Sequence, residues 1–231
     1  MFIDEEYRQN ELEKTNLINM NLNKKDDEEE EDIIDHVQIN DIFTDLYDDI
    51  SALEFKELTE EEFLEHTSNL DNSRKKLNNY LKHNPSNVQP DQFILLIHII
   101  CVLNYCYVSD SLKCNFFNLA ITIIEDQPDI IEPFLASNEL LNYVNIFNDI
   151  FLGWHSSLLK AILSHSSNAS IALISNGFLN NIFTAMNKSV YIVFCKSEEY
   201  QNEIKKIMEY WPFVVESLQN IAIYTTNRSV I

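Results

Sequence analysis

The sequence predicts an all-α fold: a short right-handed stack of helices of the α-solenoid kind, preceded by a disordered acidic segment. Three observations predict it. The 231 residues include only 2 Gly and 5 Pro, too few of the residues that punctuate hairpins, sandwiches and barrels. Apolar residues recur at helical spacing over most of the chain, with no strand-like alternation. Two consecutive helices also repeat together at a fixed offset, which marks units that must stack on their neighbours to bury apolar faces.

Charge divides the chain before any element is assigned. Residues 1–66 hold 23 acidic and 5 basic side chains, a net of −18, whereas residues 67–231 hold 14 and 11, a net of −3. Residues 1–40 therefore read as an acidic disordered tail. The run Asp26–Asp32, seven consecutive acids, cannot bury enough apolar surface to offset its ordering entropy. Residues 41–57 read as a linker with a short docking helix, because Ile42, Phe43, Leu46, Tyr47 and Ile50 fall at helical spacing. Residues 58–231 read as the helical-repeat body, ending mid-repeat.

Within that body the start and stop signals follow in order. Thr59-Glu60-Glu61-Glu62 has the form of a capping box, opening a helix to about His83 with Phe63, Leu70, Leu77, Tyr80 and Leu81 inward. Asn84–Asn87 is a turn. Pro90-Asp91 starts a mostly buried helix to about Tyr107. Its apolar run, Phe93–Val108, falls short of the ~20 residues that a membrane span requires and contains His98 and Asn104. Ser109-Asp110-Ser111 opens a third helix to about Glu125, and Gln127-Pro128-Asp129 interrupts the pattern.

The repeat follows. Leu135, Ser137, Asn138, Leu141 and Asn142 recur as Leu173, Ser175, Asn176, Leu179 and Asn180, an offset of 38 residues. The same offset carries Phe116, Ala120, Ile121 and Ile124 onto Trp154, Leu158, Leu159 and Ile162. A partial third copy relates Asn168 to Asn227 at an offset of 59. This places about 21 additional residues in Ser189–Tyr210, as a longer helix or an extra one.

The unit Leu158–Met186 resembles an armadillo repeat. Leu159–Leu163 stands for its second helix, Ser164–Asn168 for the link, Ile174–Gly177 for the glycine-bearing turn, and Phe178–Met186 for the third helix. The resemblance extends over residues 90–231 with this one close unit; in the unit before it Glu139 stands where glycine is usual. In armadillo proteins third helices line a groove whose asparagines hold an extended peptide. The resemblance therefore implies Asn142 and Asn180 as protein-binding residues. Asn145 and Asp149 share a face with Asn142, as do Thr184 and Asn187 with Asn180. Positions 138 and 176 are Asn rather than the tryptophan of importin-type grooves, so recognition of basic localisation signals is not implied.

No motif for chemistry emerges, and the sequence predicts no enzyme, no cofactor and no metal. There is no glycine-rich phosphate loop, HExxH or EF-hand pattern. His155 beside Ser156 reads as a helix-start residue, His98 as a core histidine, and Asp126, Asp129 and Glu132 as a solvated helix end. Cys101, Cys106, Cys114 and Cys195 sit in apolar stretches without a CxxC pair and read as free buried thiols. The only basic triplet, Arg74-Lys75-Lys76, reads as a solvated helix face, so no nucleic-acid partner is expected. With no secretory leader or membrane span, a reducing compartment follows: the cytoplasm, with the nucleus as the alternative.

The expected function is a non-catalytic scaffold or adaptor that binds a peptide or helix of a protein partner. The alternative makes the acidic tail an electrostatic binder of basic proteins. The C-terminal end, with Phe213, Leu218 and Ile221, is expected to be incompletely covered and to take a partner, a second copy or the N-terminal helix.

Overall fold

The structure is a computed structural model that describes residues 39–85, 87–148, 153–194 and 201–226; for residues 189–194, 201–210 and 226 it describes the backbone alone. The Asp26–Asp32 run, Asp149, Cys195 and the Asn227 end of the third copy lie outside the described residues. By compactness the chain divides after Ile42. Of the first unit only the opening turn of one helix is described; everything below belongs to the second.

The described residues form ten α-helices and no strand: an all-α protein. In order they are α1 (Ile39–Phe55), α2 (Glu60–His83), α3 (Pro90–Tyr105), α4 (Asp110–Asp126), α5 (Ile131–Leu135), α6 (Glu139–Asn145), α7 (Gly153–His165), α8 (Ala169–Ser175), α9 (Phe178–Phe194) and α10 (Gln201–Thr226). One-turn 3-10 segments precede α5 at Pro128–Ile130 and follow α6 at Ile146–Asn148.

Local chemistry accounts for the boundaries. The Thr59 hydroxyl accepts from the Glu62 amide at 3.3 Å, and the Thr59 amide donates to Glu62 Oε2 at 2.8 Å. This satisfies two otherwise orphaned groups at the start of α2. The Thr59 amide, and the Thr59 hydroxyl donating to Oε2 at 2.7 Å, hold the exposed Glu62 carboxyl below its ordinary pKa. Pro90 occupies the first turn of α3, and the Ser109 hydroxyl accepts from Leu112 N at 3.2 Å to open α4. Gly177, between α8 and α9, has φ of 91°, a left-handed conformation that suits a residue without a side chain.

Helices α4, α7 and α10 pack successively in one row, and α3, α6 and α9 in a second; α3–α4 and α9–α10 contacts join the rows. The core between them is aromatic. Phe93, Phe134, Tyr143, Phe147 and Phe178 meet edge to face in series, with ring centroids 4.9–6.0 Å apart, a favourable geometry for aromatic quadrupoles. The succession of long helix, short helix and third helix occurs twice, as α4–α5–α6 and α7–α8–α9. Three of the apolar pairs related by 38 residues, Ala120/Leu158, Ile124/Ile162 and Val144/Ile182, are fully buried at both positions.

The extra length between α8 and the end of α10 is carried by both flanking helices. Helix α9 runs to Phe194, beyond the expected Met186, and α10 begins at Gln201. Against α7, α10 packs closely at Gly153, where an added Cβ would lie 3.0 Å from the Phe213 ring. Ser156 Oγ donates to Phe213 O at 2.9 Å and meets Ser217 Oγ at 2.7 Å. Ile221 is consequently buried, while Phe213 and Leu218 are half-buried. Among the described side chains of α10, the large apolar residues that are exposed are Val215 and Ile223. Of the three residues expected to be incompletely covered, Ile221 alone departs, because the inward side of this helix is set by where α7 packs.

Candidate protein-binding face

Helices α6 and α9 lie side by side, and one side chain fixes their register. Asn181 is buried, and its Nδ2 donates to Val144 O at 3.0 Å and to Asn145 Oδ1 at 3.2 Å. Lys188 Nζ adds a bond to Asn148 O at 3.2 Å. Buried amides of this kind fix an arrangement because losing a partner strands a desolvated polar group.

On α9, Phe178, Asn181, Ile182 and Ala185 face inward. The opposite side therefore presents Asn180, Phe183, Thr184 and Asn187, all exposed. On α6, Leu140, Tyr143 and Val144 face inward, which leaves Leu141 and Asn142 exposed and Asn145 half-buried. Five of the six residues expected to form the site thus lie on outward faces of two adjacent helices.

Their states differ. Asn142 Nδ2 rests 3.2 Å from both Glu139 oxygens. Asn145 Oδ1 is occupied by Asn181. The Thr184 hydroxyl donates back to Asn180 O at 2.8 Å. The exposed side-chain amides of Asn180 and Asn187 complete a strip that offers both donors and acceptors.

Three residues of this region were missed. Asn181 lies 38 residues after Tyr143, not after an asparagine, so matching identities passed over it. Leu141 and Phe183 are 50% and 52% exposed and place apolar surface beside the amides. Their signal was available, since each falls on the polar side of its helical wheel.

The histidines also differ from expectation. His98 is not in the core: its side chain is 26% exposed, with Nε2 3.0 Å from Glu54 Oε2 and Nδ1 3.3 Å from Glu139 Oε1. His155 does sit in the first turn of α7, but it is buried, lies 4.7 Å from the Phe117 ring and meets Asn104 Oδ1 at 3.0 Å. His155 and Ser156 therefore engage different partners. Long-range neighbours decide both histidine environments, and helical periodicity does not reveal them.

Cys101 is buried and its thiol is pushed well above the ordinary value, first by burial and then by Glu139. Cys106 and Cys114 are half-buried rather than buried. The Arg74-Lys75-Lys76 triplet makes ion pairs: Arg74 and Lys75 with Asp71, and Lys76 with Asp45. Glu132 accepts from Ser166 Oγ at 2.6 Å and Asn168 Nδ2 at 3.0 Å, tying α5 to the link before α8. Among the described residues no cluster of His, Cys, Asp and Glu could hold a metal ion, and no helix is long and apolar enough to cross a membrane.

Compared with known protein families, curated proteins and solved structures, the chain matches none.

Proposed function

We propose that the chain is a non-catalytic protein-interaction module, built as an armadillo-like α-solenoid, whose α6/α9 face receives an extended segment of a partner protein. The observation that carries this reading is the pair of adjacent outward strips, Leu141/Asn142/Asn145 and Asn180/Phe183/Thr184/Asn187, held in register by Asn181. A side-chain amide offers one donor side and one acceptor, the complement of a peptide group. Phe183 and Leu141 supply apolar anchors of the kind that carry most of the energy in a small interface. Recognition of this type reads a partner's backbone first and only a few of its side chains.

Selection of a random peptide library on the full chain tests the reading. The expected outcome is enriched peptides whose affinity falls about tenfold in N142A/N180A and more in F183A, since central aromatic anchors exceed about 2 kcal/mol when truncated. Peptides that bind both variants as tightly as the wild type would overturn it.

The acidic segment supports a second reading, because net charge of −18 out of −21 lies within residues 1–66. That reading predicts binding to a basic polypeptide that collapses as salt rises and disappears when residues 1–38 are deleted.

A further inference from the structure

Helix α1 is held differently from the other helices. It buries Phe43, Leu46, Ile50 and Ala52, yet among the described residues its backbone packs less extensively on any one helix than do the neighbours within the two rows. Its polar ties to other helices include three ion pairs. Asp49 meets His66 of α2 at 2.8 Å, Asp45 meets Lys76 of α2 at 3.8 Å, and Glu54 meets His98 of α3 at 3.0 Å.

The last of these is special in its geometry. Both ring nitrogens of His98 face carboxylate oxygens, Nε2 toward Glu54 of α1 and Nδ1 toward Glu139 of α6. A neutral imidazole has one N–H and one lone pair, so it can donate to only one carboxylate and turns a lone pair toward the other. Rotating the ring does not help, because each side carries a carboxylate. Only the imidazolium, with two N–H donors, satisfies both. From these contacts we infer that His98 is a proton-dependent clasp: protonated, it joins α1 to α3 and α6, and on losing its proton it loosens the attachment of α1.

The surroundings are consistent with this. Glu139 is itself secured, its side chain only 12% exposed, with Asn142 Nδ2 on both its oxygens and Cys101 of α3 within hydrogen-bonding reach. The charged groups facing the ring are Glu54 and Glu139. Of the other helices packed against α3, α4 turns Lys113 to Asn104 O and α5 turns Glu132 to Ser166 and Asn168. Hydrogen bonding to Glu139 raises the His98 pKa from its ordinary value of 6.5, with the charges of Glu139 and Glu54 adding and burial opposing. A raised folded-state pKa means that the stabilisation is complete below the unfolded value and is lost as pH rises through the folded one. The clasp therefore holds α1 most firmly below the unfolded-state value and loosens as pH rises through the raised midpoint of His98. The inference rests on contacts among α1, α3 and α6 and is independent of whether the α6/α9 face binds a peptide.

The test uses the full chain with labelled histidines, assigning His98 by its absence in H98Q. Nitrogen chemical shifts report its protonation against pH, and hydrogen exchange reports the protection of α1 amides after correction for intrinsic rates. The expected result is a His98 midpoint above that of the same residue in the urea-unfolded chain, lowered in E139Q and in E54Q. Across that midpoint α1 protection should fall about three- to tenfold, the scale of one partly exposed charge-assisted bond. In H98Q and in E54Q this step should vanish. A His98 midpoint at or below its unfolded value overturns the inference, as does an α1 step that is absent in the wild type or persists in H98Q.

Discussion

Helices α3–α9 and the α1–α2 pair are held by different physics. In α3–α9, five aromatic rings run in series from Phe93 to Phe178, all fully buried. Around α1, two ion pairs join it to α2 and a third joins it to α3, two of the three through histidine, and α1 and α2 bury only short apolar stripes. Apolar burial is insensitive to pH and only weakly sensitive to salt, whereas partly exposed ion pairs respond to both. The difference teaches that one small all-α protein can combine a fixed body with a helix whose attachment follows solution conditions.

The sharpest way to break this comparison is in the aromatic series. Phe147 meets Tyr143 at 5.5 Å and Phe178 at 4.9 Å, so Phe147→Ala should destabilise the protein by about 3–5 kcal/mol. A urea titration should show a lower midpoint at nearly unchanged slope. A loss below about 1 kcal/mol would place the core elsewhere.

Next comes the α7–α10 contact. Gly153→Leu drives a side chain into the Phe213 ring, and overpacking of this kind costs about 1–3 kcal/mol, read as a lower Tm. Gly177→Ala acts through the backbone alone, since nothing lies within 4 Å of the added Cβ. Its positive φ should cost about 1–2 kcal/mol.

The capping box at α2 is smaller. Thr59→Ala removes both bonds that its hydroxyl makes to Glu62, one accepted from the amide and one donated to Oε2, and should cost about 1 kcal/mol. Thr59→Ser should restore most of it. Hydrogen exchange should locate the effect in the first turn of α2 rather than in α3–α9.

Smallest is the surface ion pair. Lys76→Gln breaks an exposed contact with Asp45 at 3.8 Å and should change stability by less than about 0.5 kcal/mol. A larger effect, confined to low salt, would mean that α1 is held more by charge than by Phe43, Leu46 and Ile50.

Helix starts were the most legible feature of the sequence because capping is local chemistry. Thr59, Pro90 and Ser109 stand where the sequence placed the starts of α2, α3 and α4. Buried repeat positions were legible too, because Ala120/Leu158 and Ile124/Ile162 carry their periodicity with them. Less legible was whatever depends on partners far along the chain. His98 looked apolar by its neighbours Ile97 and Ile99, but Glu54 and Glu139 lie about 40 residues away on either side. Asn181 broke the repeat rather than obeying it, so identity at offset 38 pointed to Asn180 beside it. Of the site itself the outward strip was legible, whereas the amide that aligns its two helices was not.

Site-specific photocrosslinking on the full chain tests the central claim most directly. A benzoylphenylalanine replaces Phe183 in one sample and the slightly more exposed Leu64 of α2 in another, each mixed with a library-selected peptide. The α6/α9 reading predicts a crosslink from position 183, abolished by excess unlabelled peptide, and none from position 64. A crosslink from position 64 with none from position 183 would contradict it.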